Sequence, residues 1–144
     1  MTDSNKPNTA FWIIAVVALI WNIMGVMAYL GSVYMDDATR DLMTPEQIEL
    51  MEATPAWVTG IFAIATFAGV LGALLMVLKR KLAVPLFAIS LIAVLIQNVY
   101  AWFATNAAEV YGTVQGYVMP LLVITISIFL FWYSKGATQK GWLK

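Results

Sequence analysis

The chain has no cysteine and no histidine. Without cysteine there is no disulfide framework, no thiolate metal site and no thiol nucleophile. Without histidine the commonest general base and the commonest metal ligand are missing as well. Charge is scarce: Asp, Glu, Lys and Arg make up 11% of the 144 residues, against about 25% in an ordinary soluble domain. The remaining carboxylates are not paired inside an apolar run. Serines and threonines within the apolar runs have no evident activator. No Gly-rich phosphate loop occurs, and no basic, aromatic-lined surface points to nucleic acid. Enzymatic activity is therefore not expected, and neither a catalytic residue, a metal ligand nor a cofactor is assigned.

What is abundant is apolar surface, at 62% of residues. A soluble domain of this length buries too little of its area to hide that much, so the expected solvent is lipid. A spanning helix needs about 20 mainly apolar residues. Four stretches qualify, at about 11–34, 55–78, 82–104 and 117–134, and none contains Asp, Glu, Lys or Arg. The first is too long for the apolar region of a cleaved signal peptide.

The connections are polarised. Lys6, Lys79, Arg80, Lys81, Lys135, Lys140 and Lys144 fall on one side, and Arg40 alone on the other. Asp36, Asp37, Asp41, Glu46, Glu49, Glu52 and Glu109 fall on the side of Arg40. The positive-inside rule puts the basic side in the cytoplasm. The expected fold is all-α: a single domain forming a polytopic membrane protein, an antiparallel four-helix transmembrane bundle with both termini cytoplasmic. Trp12, Trp57, Trp102, Trp132, Tyr34, Tyr100, Tyr117 and Tyr133 lie near helix ends as interfacial anchors. Trp21 lies mid-span.

Thr44-Pro45-Glu46-Gln47 reads as a capping box with proline at the first helical position. A short helix over about 45–52 is expected in the acidic connection, with Ile48 and Met51 resting on the membrane surface. Thr54-Pro55 repeats the signal and is expected to start the second span. Lys79-Arg80-Lys81 reads as a tight hairpin. It can meet anionic headgroups, but setting the topology is the simpler role.

Inside the spans, Ala18, Asn22, Gly25, Tyr29 and Ser32 recur at three- and four-residue spacing and form an inward face. Ala65, Gly69 and Ala73 form one small-residue ridge on the second span, and Ala68 and Gly72 form another. These ridges and Gly25 are the expected helix-packing positions, since small residues let backbones approach. Ser90, Ala93, Gln97 and Ala101 form a comparable face on the third span. Phe11–Asn22 can be laid over Phe87–Asn98 without a gap, sharing the leading Phe and Leu-Ile-x-Asn. As parallel repeats, the two segments would bring Asn22 and Asn98 together near the bundle centre.

Two readings of the intramembrane amides follow. Asn22, Gln97 and Asn98, with Trp21 and Tyr100, can line a ligand cavity: amides donate and accept hydrogen bonds, and rings give apolar faces a surface to stack on. Alternatively the amides are interhelical glue, worth about 0.6–2 kcal/mol per bond.

The opening Phe11-Trp-Ile-Ile-Ala-Val-Val-Ala-Leu-Ile-Trp-Asn-Ile-Met-Gly-Val-Met-Ala-Tyr-Leu30 resembles a family of small bacterial four-span proteins. So do Thr54-Pro-Ala-Trp57, Pro85-Leu-Phe-Ala-Ile-Ser90, Glu109-Val-Tyr-Gly112, Trp132-Tyr-Ser-Lys135 and Lys140-Gly-Trp-Leu143. The resemblance covers nearly the whole chain. Members are often labelled "sugar transporter", and no catalytic or binding residue carries over. The resemblance implies a bacterial inner membrane. The chain also matches small multidrug exporters in size and topology, but it lacks the first-span glutamate on which they depend. Two functions are then expected: a carrier or channel component for a neutral, sugar-like solute, or a non-catalytic accessory subunit of a membrane complex. The expected company is the lipid bilayer, with further copies of the chain or a partner membrane protein.

Overall fold

A computed structural model describes residues 6–144. Among these residues the structure is helical and has no strand. The order is α1 (Thr9–Val33), α2 (Asp37–Asp41), α3 (Pro45–Ala53), α4 (Ala56–Val77), α5 (Ala83–Phe103), α6 (Ala107–Thr113), a π-helical turn (Val114–Val118) and α7 (Met119–Gln139). α1, α4, α5 and the α6–α7 stretch are long and apolar enough to cross a membrane. At 1.5 Å per residue, the 25 residues of α1 extend about 37 Å.

The ends are defined by local chemistry. Asn8 caps α1, its Oδ1 accepting from the Phe11 N–H at 2.9 Å. The capping box of α3 is complete: Gln47 N–H donates to Thr44 Oγ1, and Thr44 N–H donates to Gln47 Oε1, both at 3.2 Å. Thr54 does not cap α4. Its hydroxyl donates back to the Leu50 carbonyl at 3.0 Å, and Pro55 stands at the N-cap without a side-chain bond. Thr54 therefore finishes α3 and does not start the next helix. Ile48 is half-buried, while Leu50 and Met51 line an open vestibule, and α3 packs on α6.

The fourth long helix differs most from expectation. It continues past Ser134 to Gln139, and its start is irregular. Gly112 has φ 88° and ψ 174°, a conformation open in practice only to glycine. The break turns α6 back on the following turn. There the backbone of Ala108 comes so close that a Cβ on residue 116 would sit 2.5 Å from its Cα. Trp102 Nε1 donates to the Gly116 carbonyl at 2.7 Å, pinning the π turn to α5.

α4 packs most extensively on α5 and next on α1, and α5 also packs on α7. The small residues of α4 explain its two neighbours. Ala65, Ala68, Gly69, Gly72 and Ala73 are all buried. The Phe87 ring lies on Gly72, where a Cβ would be 2.9 Å from Cδ1. The Ser90 hydroxyl donates across to the Ala65 carbonyl at 2.7 Å. On α1, Gly25 faces the Thr66 methyl, and Tyr29 makes edge contacts with Phe62 and Phe67.

Most of the core lies at the basic end of the bundle. Phe11, Met76 and Ser134 are fully enclosed there, packed with Phe87, Leu130, Trp142 and Leu143. Two helix C-termini close this end by the same device. At α4, Lys79 adopts φ 59°, Arg80 N–H donates to the Leu75 carbonyl, and Lys79 N–H donates to that of Met76. At α7, Gly141 adopts φ 80°, with Trp142 N–H on Ala137 and Gly141 N–H on Thr138. Both are Schellman motifs. The two are tied together: Lys144 N–H donates to the Lys79 carbonyl at 3.0 Å, and Lys81 N–H to the Lys144 carbonyl at 3.2 Å.

Candidate functional site

α1 and α7 are the two helices that would have to close the ring, and they meet chiefly at the basic end. Phe11 lies 6.4 Å from Tyr133 and 5.8 Å from Trp142 between ring centroids. Above that contact the four long helices line a half-open recess of about 360 Å³. Its polar lining is Trp21 and Asn22 from α1, Thr66 from α4, Ser90 and Gln97 from α5 and Ser127 from α7. The rest is apolar, including Met24, Phe62, Val94, Met119 and Val123.

Several of these polar groups are already committed. Asn22 Nδ2 donates to the Ala18 carbonyl at 2.8 Å. The Thr66 hydroxyl donates to the carbonyls of Phe62 and Ala63, and that of Ser90 to Ala65. The Asn22 oxygen is held against Gly69, filling the space a Cβ would take, with Ser90 Oγ 3.3 Å from the same point. Gln97, Trp21 and Ser127 make no side-chain hydrogen bond to another described residue, so their polar atoms are available to an occupant. No charged residue lines the recess, and among the described residues no group of acidic residues could hold a metal ion.

Gln97 and Phe62 also line a second cavity, of about 440 Å³, toward the acidic end. Ser32, Thr59, Tyr100, Thr105 and Tyr111 give this vestibule a more polar wall. Leu50, Tyr100 and Thr105 are shared in turn with a surface cleft that reaches Phe103 and Asn106. Three spaces therefore follow one another from the acidic end to mid-bundle, and Gln97 and Phe62 form the partition before the innermost. The buried Phe11–Met76–Trp142 cluster lies beyond it.

The five candidate ligand residues are thus divided. Trp21, Asn22 and Gln97 share the inner cavity. Tyr100 lines the vestibule and stacks edge-on with Trp57 at 5.4 Å. Asn98 lines neither space, and its Nδ2 donates to the Val94 carbonyl at 2.8 Å. The expected meeting of Asn22 and Asn98 is replaced by an Asn22–Gly69–Ser90 contact, because adjacent residues on a helix point about 100° apart and it is Gln97 that faces inward. Thr66, Ser127 and Phe62 join the lining although the sequence pattern does not mark them as ligand residues. Thr66 lies four residues from Phe62 on α4, a spacing that puts both on one face.

No family model matches the chain, and no curated protein or solved structure is significantly similar to it.

Proposed function

We propose that the protein is a bacterial inner-membrane carrier component for a small neutral solute, with its basic end in the cytoplasm. The observation that carries this reading is the run of spaces from the acidic end to a mid-bundle cavity, closed at the basic end. Such an arrangement serves a solute that enters from one side and is released when the opposite seal opens. The ligand chemistry follows from the lining. No charge faces the cavity, so an ion would be left without a counter-charge in a low-dielectric interior. Gln97, Trp21 and Ser127 offer a few hydrogen bonds within a largely apolar wall. That favours a compact neutral molecule with an apolar face and one to three polar groups. A fully hydroxylated sugar would leave most of its hydroxyls unpaired.

The test is a melting screen of the purified protein against neutral solutes, followed by uptake into vesicles. A hit that loses its melting shift in both Gln97→Ala and Ser127→Ala supports the reading. A shift that survives both substitutions moves the site elsewhere.

A second reading is favoured by the sparse packing between α1 and α7. A helix of another membrane protein would fill that seam, making the chain an accessory subunit. Purification in mild detergent separates the two readings: a stoichiometric companion protein supports the accessory role, and a lone chain or homo-oligomer supports the carrier.

A further inference from the structure

The basic end carries a separate recess. Arg80, Lys81, Lys135 and Lys144 surround an open groove of about 670 Å³. Its apolar wall is formed by Leu75, Leu82, Val84 and Pro85. These residues come from three distant parts of the chain: the α4–α5 turn, the last turns of α7, and the tail. The tail residue is brought there by structure, since the Lys144 backbone is bonded to Lys79 and Lys81. None of the four cations forms an ion pair with a described residue. Among the described residues the only ion pair is Arg40 with Glu52, at the other end of the bundle. Lys140, by contrast, lies over the Trp142 ring at 4.7 Å and does not line the groove.

Setting the topology requires only that basic residues lie on one side of the membrane. It does not require that they converge on one recess, nor that the recess have an apolar wall. Four cations at the end of a spanning bundle, beside carbon surface running down toward the membrane interior, match a molecule with an anionic head and a hydrocarbon tail.

We propose that this groove binds one anionic phospholipid. Its phosphate lies among Arg80, Lys81, Lys135 and Lys144, and an acyl chain lies against Leu75, Leu82, Val84 and Pro85. The lipid bridges the α4–α5 turn to α7 and reinforces the closure of the basic end. The proposal needs only that the four long helices span a bilayer, and it stands apart from the solute reading of the central cavity.

The test is native mass spectrometry of the full chain released from nanodiscs of phosphatidylglycerol and phosphatidylcholine, alongside titration in detergent. Phosphatidylglycerol should be retained and phosphatidylcholine lost. Each cation removed should weaken retention by about fivefold. The variant Arg80→Gln/Lys135→Gln/Lys144→Gln should therefore lose roughly a hundredfold, while Lys6→Gln should match the parent. Lys135→Arg keeps the charge and should retain lipid, so a folding failure of the triple variant leaves a readable comparison with the single variants Lys135→Gln and Lys135→Arg. Equal retention of the two lipids, or unchanged retention in Lys135→Gln and the triple variant, overturns the proposal. So does displacement by inorganic phosphate at equal concentration, which would make the groove a soluble-phosphate site, or a second polypeptide found on this face in place of lipid.

Discussion

Asn22 of α1 and Gly69 of α4 are locked together: the Asn22 carboxamide oxygen fills the space in which any side chain at residue 69 would begin. The glycine is thus matched to the amide, and the amide is oriented by its Nδ2 bond to Ala18. Gly69→Ala should displace that oxygen and cost about 1–3 kcal/mol, as overpacking does. In an Asn22→Ala background the same change should be much milder, a coupling of about 1 kcal/mol or more. Unfolding of the four variants in mixed micelles measures it. Gly60→Ala, with nothing within 4 Å of the added carbon, serves as the control and should be neutral or slightly stabilising.

Lys79 holds the left-handed conformation that its C-terminal motif demands, at φ 59°. A residue with a Cβ pays about 1–2 kcal/mol there. Lys79→Gly should raise the melting temperature, and Lys79→Val should lower it. Orientation should be unaffected, since Arg80 and Lys81 remain on the same turn.

Gly112 is the point at which α6 breaks from the helix that follows. Gly112→Ala should cost about 1–3 kcal/mol and loosen the π turn. The readout is the Trp102 indole N–H, now bonded to Gly116. Its NMR resonance should broaden or shift, while that of Trp142 at the opposite end stays fixed.

Asp36 caps α2 by accepting from Thr39, whose backbone N–H lies 2.8 Å away. The Thr39 hydrogen bonds hold its carboxyl below the usual value of 3.8. A depressed folded pKa means that the cap's contribution is fully present above the unfolded value. It is lost as pH falls through the folded value. Protection of the amides at residues 37–41, taken relative to their intrinsic exchange at each pH, should therefore be unchanged by mild acid and fall only below about pH 3.8. Asp36→Asn, which still caps, should remove the pH step.

The four long helices were legible in the sequence because their apolar runs are long and uncharged. The capping box at Thr44 and Gln47 was legible because it is local. The buried ridge of Ala65, Gly69 and Ala73 followed from spacing alone. What was not legible depends on partners distant in sequence. Hydropathy falls at Lys135, but the helix continues until Gly141 can reverse the backbone, so the last turn of α7 was missed. Thr54 faced two helices and bonded the earlier one. The break at Gly112 and the π turn depend on Ala108 and Trp102, which a linear pattern does not bring together. Among the amides, choosing Gln97 over Asn98 as the inward residue requires the rotation of α5 about its axis, which its packing on α4 and α7 decides. The Phe11–Asn22 and Phe87–Asn98 segments do share local roles. Phe11 and Phe87 join one buried cluster, and Asn22 and Asn98 each donate to the carbonyl four residues earlier.

The most direct test of one-sided access uses the absence of cysteine, which makes every introduced thiol unique. Thr59→Cys in the vestibule, Ser127→Cys in the inner cavity and Ser134→Cys in the seal are each exposed, in oriented membranes, to a small membrane-impermeant thiol reagent from either side. The account predicts rapid labelling of Thr59→Cys from the acidic side, slower labelling of Ser127→Cys from that side only, and none of Ser134→Cys. Labelling of Ser127→Cys from the basic side, or of Ser134→Cys ahead of Ser127→Cys, would contradict it.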